Sequence, residues 1–282
     1  MAHAHHSLRD ASPAAVRQLI RSKAYTGHTA GLGQGHMQAN LVILPADFAL
    51  DFLRYCQRNP KPCPVLGITD TGDPRLHTLG HTIDLRTDLP AYNVYRNGQL
   101  DTTQSDILEH WTDTSVGIAL GCSFGFEHAL QRHGFSLWHI DHDKTVPMYR
   151  TNLATLAAGP FAGDMVVSMR SVPADRLDDA RRVAAQYPLA HGAPVHWGEP
   201  AAIGIASLSR PDWGDAPPPL IDQIPVFWAC GVTPQVAIEN ARIPLCITHK
   251  PGHMLITDVP EFAESPVLTQ ADESLATEGE SV

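Results

Sequence analysis

The chain has 282 residues, 43% of them hydrophobic, enough to bury a core in one large domain or two small ones. No apolar run approaches the roughly 20 residues of a membrane-spanning helix, and the opening MAHAHHSLRD lacks an apolar signal core, so a cytoplasmic protein with no membrane partner is expected. The formal charge of −10 is uneven: residues 259–282 carry six acidic and no basic side chains, and no basic stripe occurs to hold nucleic acid.

Residues 1–12 and 259–282 are expected to be disordered tails, the first His-rich and the second rich in Ser, Thr, Pro and Glu. The five cysteines (Cys56, Cys63, Cys122, Cys230 and Cys246) are odd in number and form no CxxC, which argues against a disulfide framework and a structural zinc site.

Ser12-Pro13 opens a helix by cap and first-position rules, with Val16, Leu19 and Ile20 on its apolar side. Four glycines between Gly27 and Gly35 then form a tight loop; they match no phosphate-loop pattern, so the loop is expected to line a site. Gln38 and Asn40 lie beside the apolar run 41–44 and could orient a ligand, or simply satisfy loop backbone. Pro45 starts a second helix, with Ala49, Phe52, Leu53 and Cys56 on one face. Residues 65–68 suggest a short strand, and Asn97-Gly98 between apolar runs predicts a hairpin. A helix is expected near 107–111 and strands at 136–140 and 165–169. Residues 174–187 have the spacing of an amphipathic helix.

Two stretches share one grammar. Residues 116–121 are an apolar run ending at Cys122, with Ser123 and a helical pattern after it. Residues 226–229 are an apolar run ending at Cys230, with Gly231 and the helix start Thr233-Pro234 after it. A thiol ahead of a helix N-terminus is a route to a lowered pKa; burial as a small hydrophobe is the plain alternative. The second stretch runs on to His249 and His253 around a Pro-Gly turn, and His191 and His196 bracket another Gly and Pro.

Strands alternating with helices mean α/β. The expected architecture is two-lobed, a mixed or parallel sheet flanked by helices with a smaller α+β lobe. Residues 13–68 and 112–258 would form the main domain and 69–111 the smaller lobe or an insertion.

The segments TGHTAGLGQGHMQANLVILP, RYCQRNPKPCPVL, DLRTDLPAY, GCSFGFEHAL, VPMYRTN, GPFAGDMVVSMR, HGAPVHWGEPAAIGI, PVFWACGVTPQ and THKPGHMLITD, in that order, resemble the hydro-lyase family of bacterial proteins, also called the D-glutamate cyclase-like family. The resemblance covers about residues 16–258 and implies a two-lobed α/β fold and a hydro-lyase activity. One departure is plain: the family's Cys soon after the YRTN segment is replaced here by Leu153, Ala154 and Thr155.

The chemistry implied is removal of water from a small carboxylic or amino acid, with cyclisation of D-glutamate to 5-oxoproline as one form of it. Cys122, Cys230, His249 and His253 are the candidate acids, bases and nucleophiles. Arg150 would clamp a carboxylate, with Gln38, Asn40, Asn152, His191, His196 and Thr233 as further substrate contacts. No cofactor is expected. The alternatives are a divalent metal on His191, His196, His249 and His253, a cofactor-free two-thiol racemase or epimerase, and a non-catalytic protein that binds a small acid. Self-association into a homo-oligomer stays open.

Overall fold

The ten-residue strand β1 (His36–Pro45) is the axis of the molecule. In the computed structural model, which describes residues 5–261, its residues 37–44 are all buried. A continuous apolar run covered on both faces produces that pattern. Along one edge β1 pairs with β5 (Ser115–Gly121). Along the other it pairs with β10 (Cys246–His249) towards one end and β11 (Leu255–Pro260) towards the other. β2 (Val65–Ile68) adds outside β5, and the hairpin β3 (Tyr92–Arg96) and β4 (Gln99–Gln104) adds outside β10, giving seven strands. The hairpin turns on Asn97 and Gly98, both at positive φ, as its Asn-Gly sequence predicts. A second sheet has four strands in the order β6 (Met148–Ala154), β7 (Asp164–Pro173), β9 (Gln223–Ala229), β8 (His196–Trp197).

The α/β class holds, but the mixed or parallel sheet does not: each pairing between these strands is antiparallel. Parallel neighbours need a crossover that returns to the same sheet. Here the helix after β5, α3 (Phe124–Arg132), leads from the first sheet to the second. The helix after β9, α6 (Thr233–Ala241), leads back.

Helix α1 (Pro13–Arg21) starts as expected, with the Ser12 hydroxyl accepting from the Ala15 N–H at 3.3 Å. Helix α2 (Ala46–Arg58) buries Phe52, Tyr55 and Cys56 on one face of the first sheet, beside Ala237 and Ile238 of α6. Full burial of a side chain such as Phe52 contributes about 1.5–3 kcal/mol. Over the second sheet, α3 and α5 (Leu177–Ala185) pack Phe126, Leu130, Ala180 and Val183 against Trp228. The run 136–140, expected as a strand, instead contains α4 (Trp138–Asp141), and 107–111 is a turn rather than a helix. Short apolar runs carry too little periodicity to separate these states.

Residues 69–111 are built onto the first sheet. Leu76, Leu79, Leu85, Leu89 and Val94 share a core with Leu41, Ala119 and Ile247, and β3 pairs with β10. Of the two expected tails, residues 1–4 and 262–282 lie outside the described residues. His5–Leu8 form a 3-10 turn, and β11 runs on to Pro260. No helix among the described residues is long and apolar enough to cross a membrane.

Candidate active site

The chain crosses between the sheets at the two cysteine turns. β5 ends at Gly121, Cys122 and Ser123 make the turn, and α3 begins at Phe124. β9 ends at Ala229, residues 230–232 make the turn, and α6 begins at Thr233. Both thiols are buried and line one cavity. The main-chain amide of Phe124 acts on the Cys122 thiol, and that of Val232 on the Cys230 thiol, each easing it towards the anion. These amides favour thiolates, yet the expectation of lowered pKa values fails. Burial pushes the Cys122 thiol well above its usual range. It pushes Cys230 up to about 11, held there by the Val232 N–H and the charge of Arg170. Desolvation outweighs a pair of helix-end donors, so both sulfurs are thiols at neutral pH.

The same cavity is lined by Asn40, His191, Gly231 and His249. Asn40 projects from β1 and donates to the Gly121 carbonyl at 2.6 Å, tying the first crossing to the central strand. Its amide lies where any Cβ at position 231 would fall, so glycine there is a matter of space. His249, at the end of β10, accepts the Leu41 N–H on Nδ1 at 3.2 Å. The Leu41 carbonyl lies farther from the same nitrogen, at 3.4 Å, so the shorter contact assigns the hydrogen of the neutral ring to Nε2, which is buried with no protein partner. His191 is oriented the other way. Its Nδ1 meets the Lys61 carbonyl at 2.8 Å and must be the N–H, which leaves the lone pair on Nε2. Burial lowers both imidazoles to about 4, His191 further by Arg170 and His249 by His253, so both are neutral at pH 7. The cavity thus holds one imidazole donor and one imidazole acceptor. Its volume is about 30 Å³, and Cys122 also lines a neighbouring cavity of about 260 Å³ with Gln38, Tyr187 and Ala190.

A buried ionic group supports the thiol turns. Arg170 of β7 donates to the Glu127 carboxylate of α3, to the Ser123 hydroxyl at 2.9 Å and to the Ser168 hydroxyl at 2.6 Å. His139 meets the same Glu127 oxygen at 3.0 Å. Burial alone would raise the Glu127 carboxyl; Arg170 and His139 overcome it and hold it down at about 2. Arg170 also lies over the rings of Phe126 and Trp228, at 4.9 and 5.4 Å from their centres. The Arg170–Glu127 pair acts differently on the two thiols: at Cys230 the Arg170 charge outweighs that of Glu127 and eases the thiol towards the anion, whereas at Cys122 the Glu127 charge outweighs that of Arg170 and opposes it.

The model of the D-glutamate cyclase family matches residues 116–258. The chain is 62% identical over 266 residues to a protein of Ruegeria pomeroyi named "putative hydro-lyase", a match covering 94% of this chain and 97% of that one. Proteins of the same name from Dinoroseobacter shibae (61% over 260 residues, 92% and 87% covered) and Bordetella petrii (52% over 244 residues, 86% and 92% covered) are also similar. The chain belongs to the D-glutamate cyclase family. The segment matching the family model holds both thiol turns, His191 and His249, whereas Asn40 enters from β1 outside it.

In this D-glutamate cyclase family member five of the expected site residues converge: Asn40, Cys122, His191, Cys230 and His249. His253 stands beside them, half-buried between cavity-lining Gly252 and Met254, its Nδ1 on the Pro251 carbonyl at 3.0 Å. Others are elsewhere. Arg150 is exposed, paired with Glu239 at 3.0 Å and resting on Trp213, so it is no clamp for this cavity. Asn152 is exposed on β6. His196 stacks on Phe227 and meets the Glu199 carbonyl at 2.8 Å, outside the cavity lining.

Thr233 is structural: its hydroxyl accepts from the Val166 N–H at 3.0 Å and donates to the Cys230 carbonyl at 2.7 Å. Gln38 gives its amide hydrogens to the Thr29 and Leu32 carbonyls, bracing the glycine loop. His191, His196, His249 and His253 do not form a metal-ligand set, because among the described residues the one such group with ligand atoms within 4.8 Å is His5, His28 and Asp143. Sequence reasoning missed Arg170 and His139. The available signal was a lone Arg ending the apolar run Met165–Met169, since a charge inside a buried strand needs a buried partner.

Proposed function

We propose that this protein is a hydro-lyase that removes water from a small carboxylic or amino acid bound between the two thiol turns, with cyclisation of D-glutamate to 5-oxoproline as its reaction. The observation that carries the reading is the meeting, in one cavity, of two buried thiols that stand just ahead of helix N-termini with His249 Nε2, which has no protein partner. The family and the names of the similar proteins favour the same reading.

The roles follow from the protonation states. His249 Nε2–H and the Asn40 amide hold carboxylate oxygen, and the His191 lone pair accepts from the substrate ammonium. Cys230, the less strongly raised thiol of the pair, first gives its proton to solvent, an ionisation that the substrate cation favours, and its thiolate then takes one proton from the ammonium. The amine then attacks the carbon of the side-chain carboxyl, bound in its protonated form; Cys122, a thiol at rest, protonates the hydroxyl that leaves as water, and the nitrogen's second proton returns to the Cys122 sulfur. The products are the lactam and one water, and the thiols exchange their protons through solvent. His249 is a fixed donor for developing negative charge, the kind of group whose loss costs about 10²–10³ in rate. An amino acid exceeds the closed cavity, so the 145–146 segment and the Pro251–Gly252 turn, which line it, must part for entry.

The matched thiol turns also suit a two-thiol racemase, and one assay separates the readings. The protein is incubated with D-glutamate in D2O, and the products are followed by chromatography and mass spectrometry. The proposal expects 5-oxoproline without deuterium at the α-carbon, and a loss on the order of 10²–10⁴ in turnover for Cys122→Ser and for Cys230→Ser. Deuterium at that carbon with inversion favours the racemase, and tight calorimetric binding without any product favours a binding protein. Unchanged turnover in both variants would end the thiol chemistry.

A further inference from the structure

We propose that His5, His28 and Asp143 form a three-ligand site for a first-row divalent cation of the Zn2+ class at the rim of the candidate active cavity. The residues come from three separated segments: the N-terminal 3-10 turn, the glycine loop, and the loop between α4 and β6. The turn that carries His5 is pinned by Leu8, which is buried with Val16, Ile20 and Ile256.

The hydrogen-bonding pattern points to a cation. His5 Nε2 lies 2.8 Å from the Ala30 carbonyl, which can only accept, so Nε2 carries the hydrogen. The Nδ1 of the neutral ring is then a bare lone pair, 3.4 Å from Asp143 Oδ1, which also only accepts. The same oxygen lies 3.1 Å from His28 Nε2, and the two rings are 4.3 Å apart. One carboxylate oxygen thus faces two imidazoles tilted at 37° to each other. Protonating both would place two positive rings against each other; a single divalent ion satisfies all three groups. Ligand atoms about 2.0–2.1 Å from a tetrahedral zinc are about 3.3 Å apart, close to the 3.1 and 3.4 Å seen here. The Ala30 carbonyl on the far nitrogen of His5 is the outer partner that a metal-ligating histidine usually has.

Three protein ligands leave a position open, the arrangement of catalytic rather than structural zinc. The three-residue site adjoins the thiol cavity, because its His28, and Thr145 two residues after its Asp143, line that cavity. The side chains of His28 and Asp143 are 22% and 61% exposed, which sets them at the rim. If the reading under Proposed function holds, the ion supplies the positive charge that Arg150 does not, as an anchor for a substrate carboxylate.

The test uses full-length protein stripped with a chelator and titrated with ZnCl2 alone by calorimetry, then with Co2+ by visible absorption. The expected result is about one equivalent bound and a Co2+ spectrum of low coordination number. His28→Ala and Asp143→Ala, both with partly exposed side chains, should weaken binding at least about tenfold. His6→Ala, next to the site but outside it, should bind like the parent. Absence of binding in the parent, equal affinity in the His28 and Asp143 variants, or loss of binding only in His6→Ala would each overturn the site. The readout needs no turnover, so its failure leaves the thiol chemistry standing, and failure of the thiol variants leaves the metal site standing.

Discussion

A carboxylate buried as deeply as that of Glu127 stays ionised only because Arg170 and His139 face it. Its carboxyl titrates near 4.5 in the unfolded chain and about 2 in the folded one. Between those values the unfolded state holds more protons, so stability rises with pH there. The contribution is complete above about 4.5 and drains away as pH falls towards about 2. Glu127→Gln should remove that dependence and, by leaving Arg170 buried without its counter-charge, cost about 3–5 kcal/mol at neutral pH. Urea unfolding at pH 7 and pH 3 checks both; equal loss of stability on acidification in parent and variant would contradict the assignment. At this scale the sequence was informative where residue type alone suggests chemistry. Cys122, Cys230, His191 and His249 could be named because thiols and imidazoles near helix starts and Pro-Gly turns are candidates anywhere. Arg150 and Arg170 could not be ranked: both end or follow apolar runs, and only the sheet decides that one faces Glu239 outside and the other Glu127 inside.

At the scale of elements, the site depends on two tight approaches of backbone to side chain. Gly231 leaves room for Asn40, and Gly121 lies so close to the Leu189 carbonyl that a Cβ would overlap it. Gly231→Ala should push Asn40 off the Gly121 carbonyl, destabilise the fold by about 1–3 kcal/mol, and reduce turnover further than stability alone explains. Gly125→Ala is the control, since its Cβ would meet Ala190 at an ordinary 3.5 Å. Thermal unfolding of the two variants measures the difference, and a Gly231 variant as stable as the Gly125 variant would refute the packing argument. Elements with a strong local rule were legible: the Ser12 cap, the Asn97-Gly98 turn and the short strand at 65–68. The run 136–140 was not. Its residues suit strand or helix equally, and the choice of α4 is made by Leu137 and Ile140 packing on the α3–α5 layer.

For the whole molecule, two sheets of seven and four strands are joined by helices that change layer. Local periodicity shows that strands and helices alternate. It does not show where each helix delivers the chain, and the expected parallel pairing failed on that point. The hairpin at 92–104 likewise reads as separate until β10, some 150 residues later, supplies its neighbour.

The polypeptide leaves the first layer at one sulfhydryl and comes home at the other. Any sliding of one layer over its companion therefore alters the gap between the sulfur atoms, and a small molecule touching both becomes a clasp for the entire body. Saturation with such a molecule should slow amide exchange in β5 and β9 together, although they belong to different sheets. Protection confined to one of them, followed by deuterium uptake and peptide mass spectrometry, would show that the layers move without regard to what lies between them.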